Sequence, residues 1–215
     1  MNHRVIAATL LAAALLGPAV AAGEGRWEHI AREQGVDVYR RAVSGSALVA
    51  FKGVAEVEAP LARVLWVLAD NDRRTEWIDL CAESRVLERV SEHESVIYQR
   101  YALPWYLSDR DYVFRARAAL EADGAVRLHM VSVEHPAAPP TVGVRARLLE
   151  STYVLTPLGE RRTRVAVEIH TDPCGMVPDW LVNAVQKRWP LATLQGIRRQ
   201  VRRPEAGEYP LPPPG

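Results

Sequence analysis

From Ser84 to Thr171 the side chains alternate apolar and polar with a period of two, in segments near 84–91, 94–103, 111–121, 125–134, 144–157 and 161–171. Successive side chains of a strand leave opposite faces, so each segment reads as a strand with one face turned inward. Turn chemistry separates them: Asp123-Gly124 suits a tight hairpin, Pro136 to Pro140 a longer rigid connection, and Leu158-Gly159-Glu160 the turn of the last pair. Six strands joined this way predict an antiparallel meander whose apolar face must be covered by something else. The cover is predicted at the end of the chain. Residues 179–203 carry Leu181, Val185, Leu191, Leu194, Ile197 and Val201 at helical spacing, a long amphipathic helix, and Pro190 inside it should bend it near residues 186–189.

Ahead of the meander, Trp27, Ile30, Ala31 and Gln34 fit one face of a short helix ended by Gly35, followed by a strand at Val36–Tyr39 and another from Leu48 to Val57. Pro60 opens a second helix with Leu61, Val64, Leu65 and Leu68 on one face, and turns rich in Asp and Arg then lead to Trp77. At the N-terminus Arg4 precedes an uncharged apolar run from Val5 to Leu16, with Gly17-Pro18 and Ala19-Val20-Ala21-Ala22 behind it. The run is shorter than the roughly 20 residues of a membrane-spanning helix, so residues 1–21 are expected to be a secretory signal peptide that delivers the protein to the periplasm or the exterior. The remainder, 22–203, fits one domain, and the tail 204–215, rich in Pro and Gly, is expected to be unpacked.

Charge and motif content narrow the function. Lys and Arg number 27 against 26 Asp and Glu, and loss of Arg4 leaves the expected mature chain formally neutral, which argues against a nucleic-acid partner. The six histidines form no short ligand pair, no Cys-x-x-Cys is present, and neither a Gly-x-Ser-x-Gly elbow nor a phosphate loop occurs, so no catalytic residue, cofactor or metal is expected. Cys81 and Cys174 stand 93 positions apart, either bridged in an oxidising compartment or as two small buried thiols.

Two longer motifs carry a resemblance. Leu103-Pro104-Trp105-Tyr106-Leu107-Ser108-Asp109-Arg110-Asp111-Tyr112-Val113 resembles the Pro-Trp, Arg-Asp strand entry of START lipid-binding domains. Asp172 to Asn183, followed by Gln186-Lys187-Arg188-Trp189-Pro190-Leu191, is similar to that family's entry into its last helix, with Cys174 where a second Gly is common. The resemblance spans about Trp27 to Arg203. It implies an α+β helix-grip fold (START/Bet v 1-like), a curved antiparallel sheet wrapped around a long C-terminal helix, and an apolar cavity for a lipid, sterol or other hydrophobic small molecule.

Alternation then nominates the wall of that cavity. Tyr112, Phe114 and Ala116 share one strand face and Val165, Val167 and Ile169 another, with Leu181 and Val185 of the helix opposite them. At ~0.8 kcal/mol per buried methylene, a chain of ordinary length supplies useful affinity without covalent chemistry. Arg100, with Tyr98 on the same strand face, falls where START-like domains often place a polar cavity residue; the alternatives are an outward Arg on a solvated strand or one salt-bridged within the wall. Pro173, Gly175, Pro178 and Pro190 cluster around the helix entry and predict a gate. Arg110 and Asp111 are expected to brace a loop, and Trp77, Trp105 and Trp189 to pack in core or rim. The leading expectation is a non-enzymatic binder or carrier with transient contact to a membrane surface. A ligand-gated envelope interaction module and a helix-grip enzyme of cyclase or hydrolase type are the rivals.

Overall fold

The computed structural model describes residues 25–214, so the expected signal segment lies outside the described residues. Along the chain the elements are β1 (Glu28–Glu33), β2 (Val36–Arg41), β3 (Ala50–Val57), α1 (Leu61–Ala69), α2 (Arg74–Trp77), β4 (Cys81–Ser91), β5 (Glu94–Tyr101), β6 (Arg110–Leu120), β7 (Val126–Ser132), β8 (Val144–Arg145), β9 (Arg147–Pro157), β10 (Thr163–Asp172), α3 (Asp179–Gln186) and α4 (Trp189–Gln200). The strands form one sheet in the order β1-β2-β3-β10-β9-β7-β6-β5-β4, antiparallel throughout that path, with the two-residue β8 parallel to β6. The first three strands join the meander through β3 against β10, in register from Thr163 opposite Val57 to Ile169 opposite Phe51.

The helices cover the inner face that the alternation requires to be covered. α4 packs on β2, β3 and β10 with Leu194 and Ile197 completely buried, and α1 sinks Val64, Leu65, Val67 and Leu68 beside β9. Between them lies a continuous core of Val36, Val57, Trp77, Ile97, Phe114, Val126, Leu155, Val165 and Val167. This is the α+β helix-grip arrangement that the resemblance implied.

Three local expectations are corrected. Residues 28–33 form a strand, not a helix: Gln34 and Gly35 both take positive φ, 51° and 70°, and fold β1 tightly back on β2. Cross-strand pairing outweighs a weak helical pattern over so short a segment. The C-terminal helix is broken, not merely bent. It stops at Gln186 and restarts at Trp189, with Pro190 in the first turn of α4, where its missing N–H costs nothing. The tail beyond Pro204, expected to be unpacked, lies against the body: Ala206 is buried, the Tyr209 amide donates to the Ala62 carbonyl at 2.9 Å, and the Leu120 amide donates to the Pro213 carbonyl at 3.0 Å. Proline segments are pre-extended and lose little freedom when they dock, so a proline-rich composition does not by itself imply disorder.

Candidate functional site

Strand β6 turns Tyr112, Phe114 and Ala116 toward the helices, and β10 does the same with Val165, Val167 and Ile169, as alternation predicts. Along β5 the inward set is Ser95, Ile97, Gln99 and Tyr101. Tyr98 and Arg100 are therefore on the other face, and their placement in the cavity is corrected. Tyr98 is 2% exposed but sits in a separate outer cluster with Val96 and Val113, beneath the segment that carries Ala138. Burial and the nearby Asp111 and Glu83 carboxylates hold its phenol above the ordinary tyrosine range. Arg100 donates to Asp109 at 2.8 Å and lies 3.6 Å from Glu83, the salt-bridged wall residue of the alternative reading.

On α3, Leu181 is half-buried and Val185 is exposed, while Val182 and Gln186 face inward. The correction at Val185 follows from the break after Gln186, which rotates α3 independently of α4. Of the expected gate residues, Pro173, Gly175 and Pro178 lie on the connection between β10 and α3, whereas Pro190 is buried in the first turn of α4. Arg110 donates to the carbonyls of Ser108 (2.6 Å), Pro173 (3.3 Å) and Cys174 (3.3 Å), tying the β5–β6 connection to the entry of α3. Buried Asp111 accepts both a 2.7 Å and a 3.2 Å bond from Arg145. The Arg-Asp pair thus braces loops, as charge-assisted bonds of this kind do.

The inner space also holds polar groups that sequence reasoning missed. Arg74, at the start of α2, is 4% exposed, its guanidinium lies 5.7 Å from the centre of the Trp77 ring, and one Nη donates to the Leu68 carbonyl. Among the described residues its Nε has no acceptor and it makes no ion pair with a carboxylate. Its charge nonetheless reaches the interior, where it partly offsets the burial that raises the Cys81 thiol and the Tyr101 and Tyr153 phenols, the last to about 12. Neighbouring Asn71 accepts from Ser84 Oγ at 2.8 Å and leaves its own Nδ2 without a partner. Ser84 in turn accepts from Gln99, whose carbonyl accepts from the Tyr101 hydroxyl at 3.0 Å. A buried cation without a counter-ion is costly, and unpaired buried donors are uncommon enough to require an explanation.

Arg74 and Asn71 line a cavity of about 70 Å³ between α1 and the inner faces of β4–β7, with Leu65, Ile97, Ala116 and Leu128 among its apolar walls. Ala116 and Ala118 keep the sheet side shallow. A second hollow of about 340 Å³, between α2 and α4, is open and bordered by Glu76, Asp79 and Arg199, an unsuitable lining for hydrocarbon.

At the end of the sheet where β5 passes to β6 and β10 passes to α3, large apolar side chains stand in solvent. Trp105 is 95% exposed, not the packed residue expected, and Tyr106, Val142, Met176 and Trp180 are exposed on the neighbouring loops and α3. Trp77 is buried in the core and Trp189 packs edge-on to Tyr153 at 6.2 Å.

Among the described residues no group of three His, Cys, Asp or Glu side chains is placed to hold a metal ion. Ser46 Oγ lies 3.3 Å from His170 Nε2, but Ser46 also accepts from the Leu48 amide and neither residue lines the cavity. Cys81 and Cys174 are both free thiols.

Comparison with known proteins agrees with this architecture. The START domain family matches residues 11–206. A Pseudomonas aeruginosa protein of uncharacterised function is 32% identical over 195 residues, covering 90% of this chain and 96% of its own length. The mouse phosphatidylcholine transfer protein is 30% identical over 168 residues, 75% of this chain and 77% of its own. Among solved structures, a STAR-related lipid transfer protein from Xanthomonas axonopodis superposes with a TM-score of 0.72 at 28% identity, covering 82% of this chain and 99% of that one.

Proposed function

The chain belongs to the START domain family, and from that premise we propose that it binds and carries an amphipathic lipid whose anionic group is held by Arg74. The observation that carries this reading is the buried guanidinium, without a carboxylate partner among the described residues, on the wall of a cavity that joins the apolar side chains of Leu65, Leu68, Ile97, Ala116 and Leu128 to a charged edge of Arg89, Glu92 and Glu94. A phosphate or carboxylate would supply the missing partner, and Asn71 Nδ2 offers a second donor beside it. Phosphatidylcholine, the cargo named for the mouse relative, contains such a phosphate.

The cavity of about 70 Å³ is small beside the roughly 300–1,000 Å³ of ordinary small-molecule sites. Loading therefore involves expansion. The interrupted α3–α4 segment and the loop held by Arg110 are the elements suited to move, because little apolar surface is buried on α3. We place this carriage in the periplasm, on the strength of the N-terminal segment 1–21. Native mass spectrometry of protein purified without detergent from its own cells is expected to show a stoichiometric phospholipid or fatty acid. Protein free of any hydrophobe, and unshifted in melting temperature by added lipid, would overturn the proposal.

Trp105, Tyr106, Met176 and Trp180 give the mobile end a membrane-facing tip, since Trp and Tyr settle at the interface between headgroups and acyl chains. The double substitution Trp105→Ala with Trp180→Ala is expected to slow lipid transfer between vesicles by about tenfold. The affinity for lipid monomers in solution should stay unchanged. Equal transfer rates for the substituted and native proteins would remove the tip from the mechanism.

A further inference from the structure

The cavity lies at the end of the sheet remote from the exposed aromatic loops, where the β4–β5 turn at Glu92-His93 approaches α1. Its cover is the chain's own last segment. After α4 the backbone crosses α1, with Gly207 against the Trp66 indole and the Tyr209 amide bonded to the Ala62 carbonyl at 2.9 Å. The Tyr209 ring packs on the core, borders the cavity and meets the His93 ring edge-on at 5.7 Å, while its hydroxyl donates to the Glu92 carbonyl. Beyond it, Pro213 accepts from the Leu120 amide at 3.0 Å and Pro214 bridges to Leu120 at the end of β6.

We propose that residues 204–214 are a strap closing a second mouth of the lipid cavity, with Tyr209 as its plug. The strap is fixed at both ends and spans the gap by few bonds. Ala206 and the end of α4 hold one side, the bond from the Leu120 amide to Pro213 and the bridge at Pro214 hold the other, and among the described residues of the tail it is Tyr209 that borders the cavity between α1 and the β4–β5 turn. Such a segment opens locally while the sheet stays intact, because its detachment exposes one aromatic ring and breaks bonds near the surface. Opening joins the cavity to solvent at the end opposite the membrane-facing tip, so an acyl chain longer than the closed cavity can extend through it. In this way the tail limits the rate and length of chain accepted by the site of the preceding section, on whose reading the proposal rests.

Two readouts separate the strap from the lipid proposal. The first needs no ligand. In an Ala116→Cys background, maleimide labelling of position 116, located by mass spectrometry below the melting transition, is expected to rise about tenfold when Tyr209→Ala is added, as for a site that is otherwise exposed a tenth of the time. Deletion of residues 204–215 should do the same. The second uses cis-parinaric acid as probe: its association rate with the full-length Tyr209→Ala protein should rise by a similar factor. Labelling at 116 that stays unchanged in both variants, with folding intact, overturns the strap. Increased labelling with no parinaric acid binding by any variant keeps the strap and counts against Arg74 as the anchor of an anionic lipid. Faster association without increased labelling overturns the plug.

Discussion

Replacing Arg74 by Met is expected to move stability and binding in opposite directions. In the ligand-free protein the guanidinium is buried against Trp77 with one carbonyl acceptor and no carboxylate. Substitution removes a desolvated charge and substitutes an apolar side chain of similar length, a change that in buried sites is often stabilising; a gain of about 1 kcal/mol is expected, after the lost bond to Leu68 is allowed for. For a chain of this size that corresponds to an increase of roughly 2–4 °C in Tm. Affinity for an anionic lipid should fall by about 3 kcal/mol, or roughly a hundredfold, because the anion then enters the cavity without its counter-charge. Affinity for an uncharged sterol should change little. Calorimetry and lipid titration on the same preparations decide the matter: a lowered Tm together with unaltered anion affinity would make Arg74 a structural brace.

Gly196→Ala gives the second large effect, and its sign is diagnostic. In an exposed helix the change would stabilise by about 1 kcal/mol through helix propensity. Here α4 approaches α2 so closely that a Cβ on residue 196 would lie 2.7 Å from Trp77 Cε3 and 2.7 Å from the Trp77 backbone oxygen. The ring could swing aside; the backbone oxygen could do so only by moving α2. We expect a loss of about 2–3 kcal/mol, seen as a lower urea midpoint at unchanged slope. Since α2 also carries Arg74, the variant should bind anionic lipid more weakly as well. A neutral or raised midpoint would show that α2 and α4 are not in contact as described.

Most of the sheet was legible because one face of it is buried and a period of two survives in β4 to β10. The same signal put Phe114, Ala116, Val165 and Val167 on the inner face, where Ala116 borders the cavity and the other three are packed into the core. It failed at Tyr98 and Arg100 because β5 is covered on both sides. Ile97 faces the helices while Tyr98 faces a second small cluster under the proline-rich loop, so polarity along the strand no longer reports which face is inner. Arg74 was hidden for another reason. It follows Asp70-Asn71-Asp72-Arg73, a stretch that reads as a solvated turn, and a one-turn helix has too little periodicity to show which of its residues is buried. The tail was misjudged from composition, which measures the tendency to form a core and not the capacity to dock on one.

The register of the sheet also orders the way the chain is assembled. β3 finds its partner in β10, more than a hundred residues downstream, while the strands between them pair mostly with near neighbours. During synthesis the β4–β7 hairpins can form early, but the N-terminal three-stranded unit has nowhere to attach until Thr163–Asp172 has emerged, and α4, which packs on that junction, comes later still. Long-range pairing of this kind is slow, since loop closure precedes the contacts that reward it. The nascent chain therefore spends most of its synthesis without its core, a period in which a chaperone has an unfolded substrate to hold.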